Sequence, residues 1–458
     1  MTVAQHYRTN LRLALPVMLG QLGHITAGVA DSVMVGQLGT HPLAAVALAN
    51  SIVTVFMLFG IGAAFGLTPL VANADGKGRR LLQGSLFFHG FYTHLALGVG
   101  LFGLSAGMVP LLQFLGQDPR VTDITGPYML LIALSVVPFM AFLSLKQFAE
   151  GLSQTKVAMA VSIICNLINV GLNYIFIFGK LGVQPMGLVG AGYATLISRT
   201  LMALGMGWYV FRHKRFKPYG LRLFGNRFRR KVARRILQVG LPTGLQLIFE
   251  VSAFSLAAVF AGMIGAEALA AHQIAINIAS VSYMAVTGLG AAATVRIGNR
   301  IGKRDPENLR LAGLTIFRMA VVWMAFTGLI IFLFRHALAG FYTDEPAVSA
   351  LAAKMLLIAV VFQLSDGIQA VALGALRGFT DVRIPTAITF TAYWLLTLPA
   401  AYMLSLHSPL GAIGIWYALA GGLTVSAVWL TLRFNGLVRA FSANTHRSAV
   451  VKNPEVTG

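Results

Sequence analysis

Long apolar runs follow one another along almost the whole chain, separated by short stretches where Arg, Lys, Gly and Pro collect. Each run matches or exceeds the roughly 20 residues that carry an α-helix across a bilayer. The spacing predicts helices over 9–36, 44–73, 82–112, 123–150, 156–179, 188–211, 234–263, 269–298, 309–337, 348–376, 384–405 and 411–434. Twelve such spans describe an all-α membrane protein, since a helix satisfies its backbone hydrogen bonds within itself. Composition agrees: 57% of the 458 residues are hydrophobic and 11% are charged, against about one-quarter charged in an ordinary soluble domain. No water-soluble core needs that much apolar surface.

A net charge of +21 on a soluble chain would suggest a nucleic-acid partner, so the placement of the basic residues decides its meaning. They concentrate in alternate connections, 74–81, 151–156, 212–235, 296–310 and 377–383, and in the two termini. The other connections hold only Arg120, Lys180, Arg335 and Lys354. The positive-inside rule assigns the basic set to the cytoplasm, so both termini are expected there and the span count must be even. The run Arg227-Phe228-Arg229-Arg230-Lys231, with Arg234 and Arg235, then reads as a loop facing lipid headgroups, with no nucleic-acid partner. A lone cysteine, Cys165, excludes an internal disulfide framework and any thiol-based metal cluster.

The first apolar run, with Arg8 and Arg12 before it and Ala27-Gly28-Val29-Ala30 near its end, has the outline of a secretory signal. An internal repeat argues against that reading. Displaced by 226 residues, the sequence superposes Leu15-Pro16 on Leu241-Pro242, Gly36 on Gly262, Gly39 on Gly265 and Leu43-Ala44-Ala45 on Leu269-Ala270-Ala271. Gly62, Thr68, Asn73, Gly76 and Lys77 fall on Gly288, Thr294, Asn299, Gly302 and Lys303. Further on, Gly151–Lys156 resembles Gly378–Arg383 at an offset of 227, and Gly190 and Tyr193 match Gly414 and Tyr417 at 224. The expected organisation is an N-lobe of six spans over 1–217, a basic cytoplasmic linker over 218–235, a C-lobe of six spans over 236–440 and a cytoplasmic tail over 441–458. With an even span count in each half, the lobes are parallel repeats, an arrangement suited to alternating access. Duplication also occurs in channels and membrane enzymes.

The acidic residues narrow the choice. Asp75, Asp305, Glu307, Asp381 and Glu455 fall in predicted cytoplasmic segments, Asp118, Asp123, Glu267, Asp344 and Glu345 in external ones, and Glu150 at a cytoplasmic helix end. Only Asp31, Glu250 and Asp366 lie well inside predicted spans. A charge at that depth costs about 3 kcal/mol on insertion scales and usually marks an ion or substrate pathway; the competing reading is a buried salt bridge to Lys146, Arg199 or Arg318. Lys146 has a nearer partner in Glu150, at the favourable i,i+4 spacing. Asn169 and Asn173, four apart on one helix face, are a pair of amides able to hydrogen-bond a carboxylate or coordinate a cation. Interhelical packing is their alternative role.

These residues bring a family into view. The chain resembles the multidrug and toxic compound extrusion (MATE) family, in its bacterial NorM-like branch. The resemblance rests on Leu15-Pro16, Val29–Gly36, Asn169–Tyr174, Gly190–Thr195, Phe249-Glu250-Val251, Ala270-Ala271-His272-Gln273, Ser365-Asp366-Gly367 and Ala375–Gly378. Order and spacing hold over nearly the full length. The resemblance implies a V-shaped pair of six-helix bundles in the bacterial inner membrane, exporting cationic organic compounds in exchange for protons or sodium ions. It assigns Asp31, Asn169, Asn173 and Thr195 to an N-lobe cation or proton site. Glu250 and Asp366 become the C-lobe counterparts and candidate sodium ligands, and Pro16 a point where the first helix bends when the acid changes protonation. A proline tolerated in the first turns of a membrane helix is the plainer reading of Pro16.

One position departs from the family. Four residues before Asp366, where some relatives carry a tyrosine near the cation, this chain has Phe362. A phenyl ring supplies no oxygen, so the C-lobe shell for sodium is short of a ligand and the expectation leans towards protons. His24 and His272 are expected to pack or hydrogen-bond rather than carry protons. A lipid-linked oligosaccharide flippase of related architecture is the rival transporter, but a diphosphate cargo calls for a cationic cavity. An intramembrane enzyme is less well supported: Asp366 sits in Gln363-Leu364-Ser365-Asp366 rather than Gly-x-Gly-Asp, and no nucleophile and base pair or phosphate-cradling loop is evident. No nucleotide-binding domain is evident either. The expected protein is a monomer without organic cofactor, embedded in lipid and driven by an ion gradient.

Overall fold

The computed structural model describes residues 1–116, 118–223 and 227–452. Glu455, the end of the tail and positions 224–226 of the linker lie outside the described residues. Twelve helices long and apolar enough to cross a membrane follow in order: α1 Val3–Gly36, α2 Thr40–Gly76, α3 Arg80–Phe114, α4 Pro119–Gly151, α5 Thr155–Phe178, α6 Gly187–Arg212, α7 Arg230–Ile264, α8 Ala266–Lys303, α9 Pro306–Gly340, α10 Pro346–Gly378, α11 Arg383–Leu406 and α12 Ala412–Thr445. Among the described residues there is no strand. Large apolar side chains lie on outward faces, as on α9, where Phe326, Phe332, Leu333 and Phe334 are exposed and suit contact with lipid.

The helices end where local chemistry stops them. Asp118 caps α4, its carboxylate accepting from Arg120 N–H at 2.8 Å ahead of Pro119. Asp305 caps α9 in the same way through Asn308 N–H at 3.1 Å, and each cap satisfies an orphan donor of the first turn. Burial pushes the Asp305 carboxyl up, but the Asn308 hydrogen bonds and the Arg300 guanidinium at 2.8 Å outweigh it and hold the group below the usual carboxylate range.

The repeat seen in the sequence recurs in detail. Gly39 and Gly265 both carry positive φ, 114° and 154°, between the first and second helices of their halves. Ser153 and Thr380, with φ of 63° and 59°, end α4 and α10, donating to Glu150 O and Arg377 O at 2.8 Å each. Thr68 Oγ1 donates across to Gln147 O at 3.3 Å, and Thr294 Oγ1 makes the equivalent bond to Gly374 O at 2.8 Å. Gly78 and Arg304, related by the 226-residue offset, both sit in the left-handed region with φ of 66° and 54°. Only Arg304 bears a Cβ there, a strain of about 1 kcal/mol. Arg304→Gly is therefore expected to raise thermal stability in detergent by roughly that amount; a lower melting temperature would show that the Arg304 side chain contributes more than its backbone costs.

Two compact units are built from these helices: Leu19–Gly244, and Met1–Met18 with Leu245–Gly458. They divide inside α1 and α7 rather than in the linker, at positions that the repeat offset relates, each two residues after a proline, Pro16 or Pro242. Within one unit α4 is the central helix, packed along α2, α3 and α6; within the other α10 holds that place against α8, α9 and α12. Polar staples tie the start of α1 into its unit: Asn10 donates to Thr315 Oγ1 at 3.0 Å, and the His6 ring lies between Arg296 Nη2 at 2.6 Å and Asn308 Oδ1 at 3.1 Å.

Several helices outrun their predicted ends. α1 begins at Val3 rather than 9, and α8 runs to Lys303, so Arg296 is a buried helical residue and not part of a connection. The helix containing α12 continues to Lys452, because Leu437, Val438 and Phe441 pack back onto the α8–α10 core. Hydropathy marks where a helix leaves hydrocarbon, not where its hydrogen bonding stops.

Candidate functional site

Asp31, half-buried on α1, is approached by two amides from α5. The Asn173 side-chain N–H donates to Asp31 Oδ1. With its amide nitrogen turned to the carboxylate, Asn169 donates to Oδ1 at 3.1 Å and Oδ2 at 3.2 Å. The i,i+4 spacing on α5 puts both amides on the face that meets α1. Asn173 Oδ1 is buried and has no hydrogen-bond partner, so an oxygen without a donor stands beside an acid. Thr195 is half-buried on α6 and makes no side-chain hydrogen bond among the described residues. One turn further, Arg199 donates to Ser135 Oγ at 2.8 Å, lies over the Phe139 ring at 4.9 Å, and reaches Met57 Sδ at 3.3 Å. Its charge acts on Asp31, and Asp31 acts in turn on the Tyr128 phenol of α4, yet Arg199 and Asp31 form no ion pair among the described residues. Pro16 is buried within α1, which is helical from Val3 to Gly36.

In the other unit, Glu250 on α7 is 6% exposed and Asp366 on α10 is 5% exposed. Tyr283 on α8 donates its hydroxyl to Glu250 Oε1 at 3.2 Å. Glu250 acts on Asp366, both carboxylates act on the phenols of Tyr283 and of Tyr393 on α11, and the Arg377 guanidinium acts on Glu250. Gln363 and Gln369 stand three residues before and after Asp366, both fully buried. Gln363 Oε1 accepts from Ser282 Oγ at 2.5 Å and Thr327 Oγ1 at 3.1 Å, and Gln369 Nε2 donates to Tyr393 Oη at 2.8 Å. Phe362 turns into an aromatic cluster instead, its ring 5.5 Å from Trp416 and 6.0 Å from Phe254. His272 packs against Trp416 at 5.8 Å, and His24 is exposed on α1.

Asp31, Glu250 and Asp366 enter no ion pair among the described residues; the buried pair that does form is Lys146–Glu150, at 3.9 Å on α4. Neutral donors meet two of these acids, Asn173 at Asp31 and Tyr283 at Glu250.

The MatE family model matches the chain twice, over residues 16–175 and 242–403. The chain belongs to the MATE family. A multidrug resistance protein NorM from Photobacterium profundum is 35% identical over 432 residues, 93% of this MATE chain and 94% of that protein. A multidrug resistance protein MdtK from Yersinia pseudotuberculosis is 35% identical over 435 residues, covering 94% and 95%. Among solved structures, one described as MATE in the bent conformation superposes with a TM-score of 0.89 at 22% identity, over 97% of this chain and 99% of that one. The outward-facing conformation of a multidrug resistance MATE family transporter gives 0.88 at 22%, over 96% and 97%. The two matched segments start 226 residues apart, the offset of the internal repeat.

In this MATE chain the sequence pattern brings Asn169 and Asn173 to Asp31 but leaves other neutral polar groups near the acids unmarked. Tyr128, Tyr283, Gln363, Gln369 and Tyr393 were not singled out. A signal was present: Gln363 and Gln369 flank Asp366 at i−3 and i+3, and residues three apart on a helix share a face.

Proposed function

We propose that this MATE chain is a secondary multidrug efflux antiporter of the bacterial inner membrane. It is a transporter and not an enzyme, with both termini in the cytoplasm as the basic connections require. It exports cationic organic compounds in exchange for inward-moving protons or sodium ions, by alternating access between its halves. Asp31, with Asn169, Asn173 and Thr195, takes the coupling ion in the N-lobe; Glu250 and Asp366 take it in the C-lobe. The observation that carries the reading is that the three acids set inside the spans form no ion pair among the described residues. Such a carboxylate costs several kcal/mol unless neutralised, so each must be occupied by a proton, a metal ion or the cargo, and competition among these couples their movements. No ATP-driven component is needed, and monomers suffice because each chain holds both sites.

The test is efflux of ethidium from proteoliposomes under imposed gradients. With pH clamped equal on both sides, an inward sodium gradient alone separates the two coupling ions; with sodium absent, an inward proton gradient is the complementary arm. Efflux that follows neither gradient would refute antiport.

A further inference from the structure

α11 departs from α-helical geometry in one segment, the π-helical turn Thr391–Thr397. Such turns are rare and recur at functional sites. Thr397 Oγ1 closes this one on Ala392 O at 2.8 Å, and α12 meets it with Gly422, where a Cβ would stand 1.6 Å from Thr397 Oγ1. Tyr393 lies inside the turn, fully buried, and its hydroxyl accepts from Gln369. Gln369 lies three residues beyond Asp366 on the same face of α10. Its Oε1 is buried with no hydrogen-bond partner, and turning the amide over only exchanges which atom is orphaned. A buried polar atom left unsatisfied costs about 1–3 kcal/mol. On the helix face of Asp366 and bonded to Tyr393, an orphan oxygen is a group that a bound cation would satisfy.

We propose that Gln369 and Tyr393, held together by the π-helical turn of α11, supply oxygen ligands to a sodium ion bound with Glu250 and Asp366. This rests on the antiport reading and deepens it. Hard cations prefer several oxygens around them. The two carboxylates, the Gln369 amide and the Tyr393 hydroxyl provide four oxygen-bearing groups in one unit, which replaces what Phe362 withholds. The sodium alternative is thereby favoured over the proton in this lobe.

Binding of radioactive sodium to the full-length purified chain, at constant ionic strength with choline as the replacing cation, tests this directly. Tyr393→Phe and Gln369→Leu are each expected to raise the half-saturating sodium concentration at least about tenfold, whereas Gln369→Glu, which keeps an oxygen, retains binding. Equal loss in Gln369→Leu and Gln369→Glu would make Gln369 a packing residue and overturn its ligand role. Sodium affinity unchanged in both Tyr393→Phe and Gln369→Leu, but lost in Glu250→Gln, would overturn the proposal and leave the antiport reading standing. Absence of sodium binding by the unaltered chain would overturn it as well. A Glu250→Gln chain that binds sodium normally would overturn the proposal, whereas the antiport reading itself is refuted by ethidium efflux that follows neither a sodium nor a proton gradient.

Discussion

Asp31→Asn is expected to remove gradient-driven export of organic cations while the protein still folds and inserts. The amide has the shape of the carboxylate, and Asn169 and Asn173 can turn their own amides to present oxygens instead of N–H groups. The cluster around position 31 can therefore be rebuilt without a buried unpaired group. What cannot be rebuilt is the charge. Removing one partner of a buried charge interaction costs about 3 kcal/mol or more, which at 1.4 kcal/mol per decade is over a hundredfold in cation affinity. Efflux rates at matched protein density should fall accordingly, with an unchanged gel-filtration profile. Export at the unaltered rate would show that the N-lobe acid is structural and that coupling runs through Glu250 and Asp366 alone.

The sequence exposed the parts of this design that depend on hydropathy and charge. Twelve spans and a 226-residue repeat are legible because a membrane helix announces itself over 20 residues and a duplicated one does so twice. Asp31 and the Asn169/Asn173 pair could be joined because an acid in hydrocarbon is conspicuous and an i,i+4 pair has a defined face. The ends of α1 and α8 lie past the apolar runs because side-chain staples such as His6 between Arg296 and Asn308 hold them, and α12 runs on because Leu437, Val438 and Phe441 pack back onto the core. Part of the neutral half of the C-lobe cluster was hidden for another reason. Gln369 was legible from its i+3 spacing to Asp366, but Tyr283 and Tyr393 each look like ordinary residues in an apolar helix, and the stretch Thr391-Ala392-Tyr393-Trp394-Leu395-Leu396-Thr397 contains neither Gly nor Pro to mark its π-helical turn. Their meaning comes from being near Glu250 and Asp366, and nearness across helices is not written in local spacing.

Gly374→Val is expected to cost the chain its stable fold, because α8 and α10 touch backbone to backbone at this point. A Cβ on Gly374 would stand 2.2 Å from Gly290 O and 2.7 Å from Gly290 C, atoms of a helix that cannot swing aside as a flexible side chain would. The same crossing is fastened by Thr294 Oγ1, which lies 2.8 Å from Gly374 O and 3.1 Å from Gly290 O. Small residues at helix crossings in membranes permit this approach. Overpacking a tight contact costs about 1–3 kcal/mol per added group and more where the backbone must move, so alanine, whose Cβ alone meets the Gly290 backbone, should reach the top of that range or pass it and the branched valine should cost more still. The consequence reaches function because α8 carries Tyr283 and α10 carries Asp366 and Gln369. Gly374→Ala, if it still folds, should move Asp366 and Gln369 away from Tyr283 and so weaken sodium binding at the proposed C-lobe site. Melting of detergent-purified variants, followed by size-exclusion chromatography after heating, is the measurement. The order expected is unaltered chain, then alanine, then valine, and a valine variant as heat-stable as the unaltered chain would mean that the two helices separate here without cost.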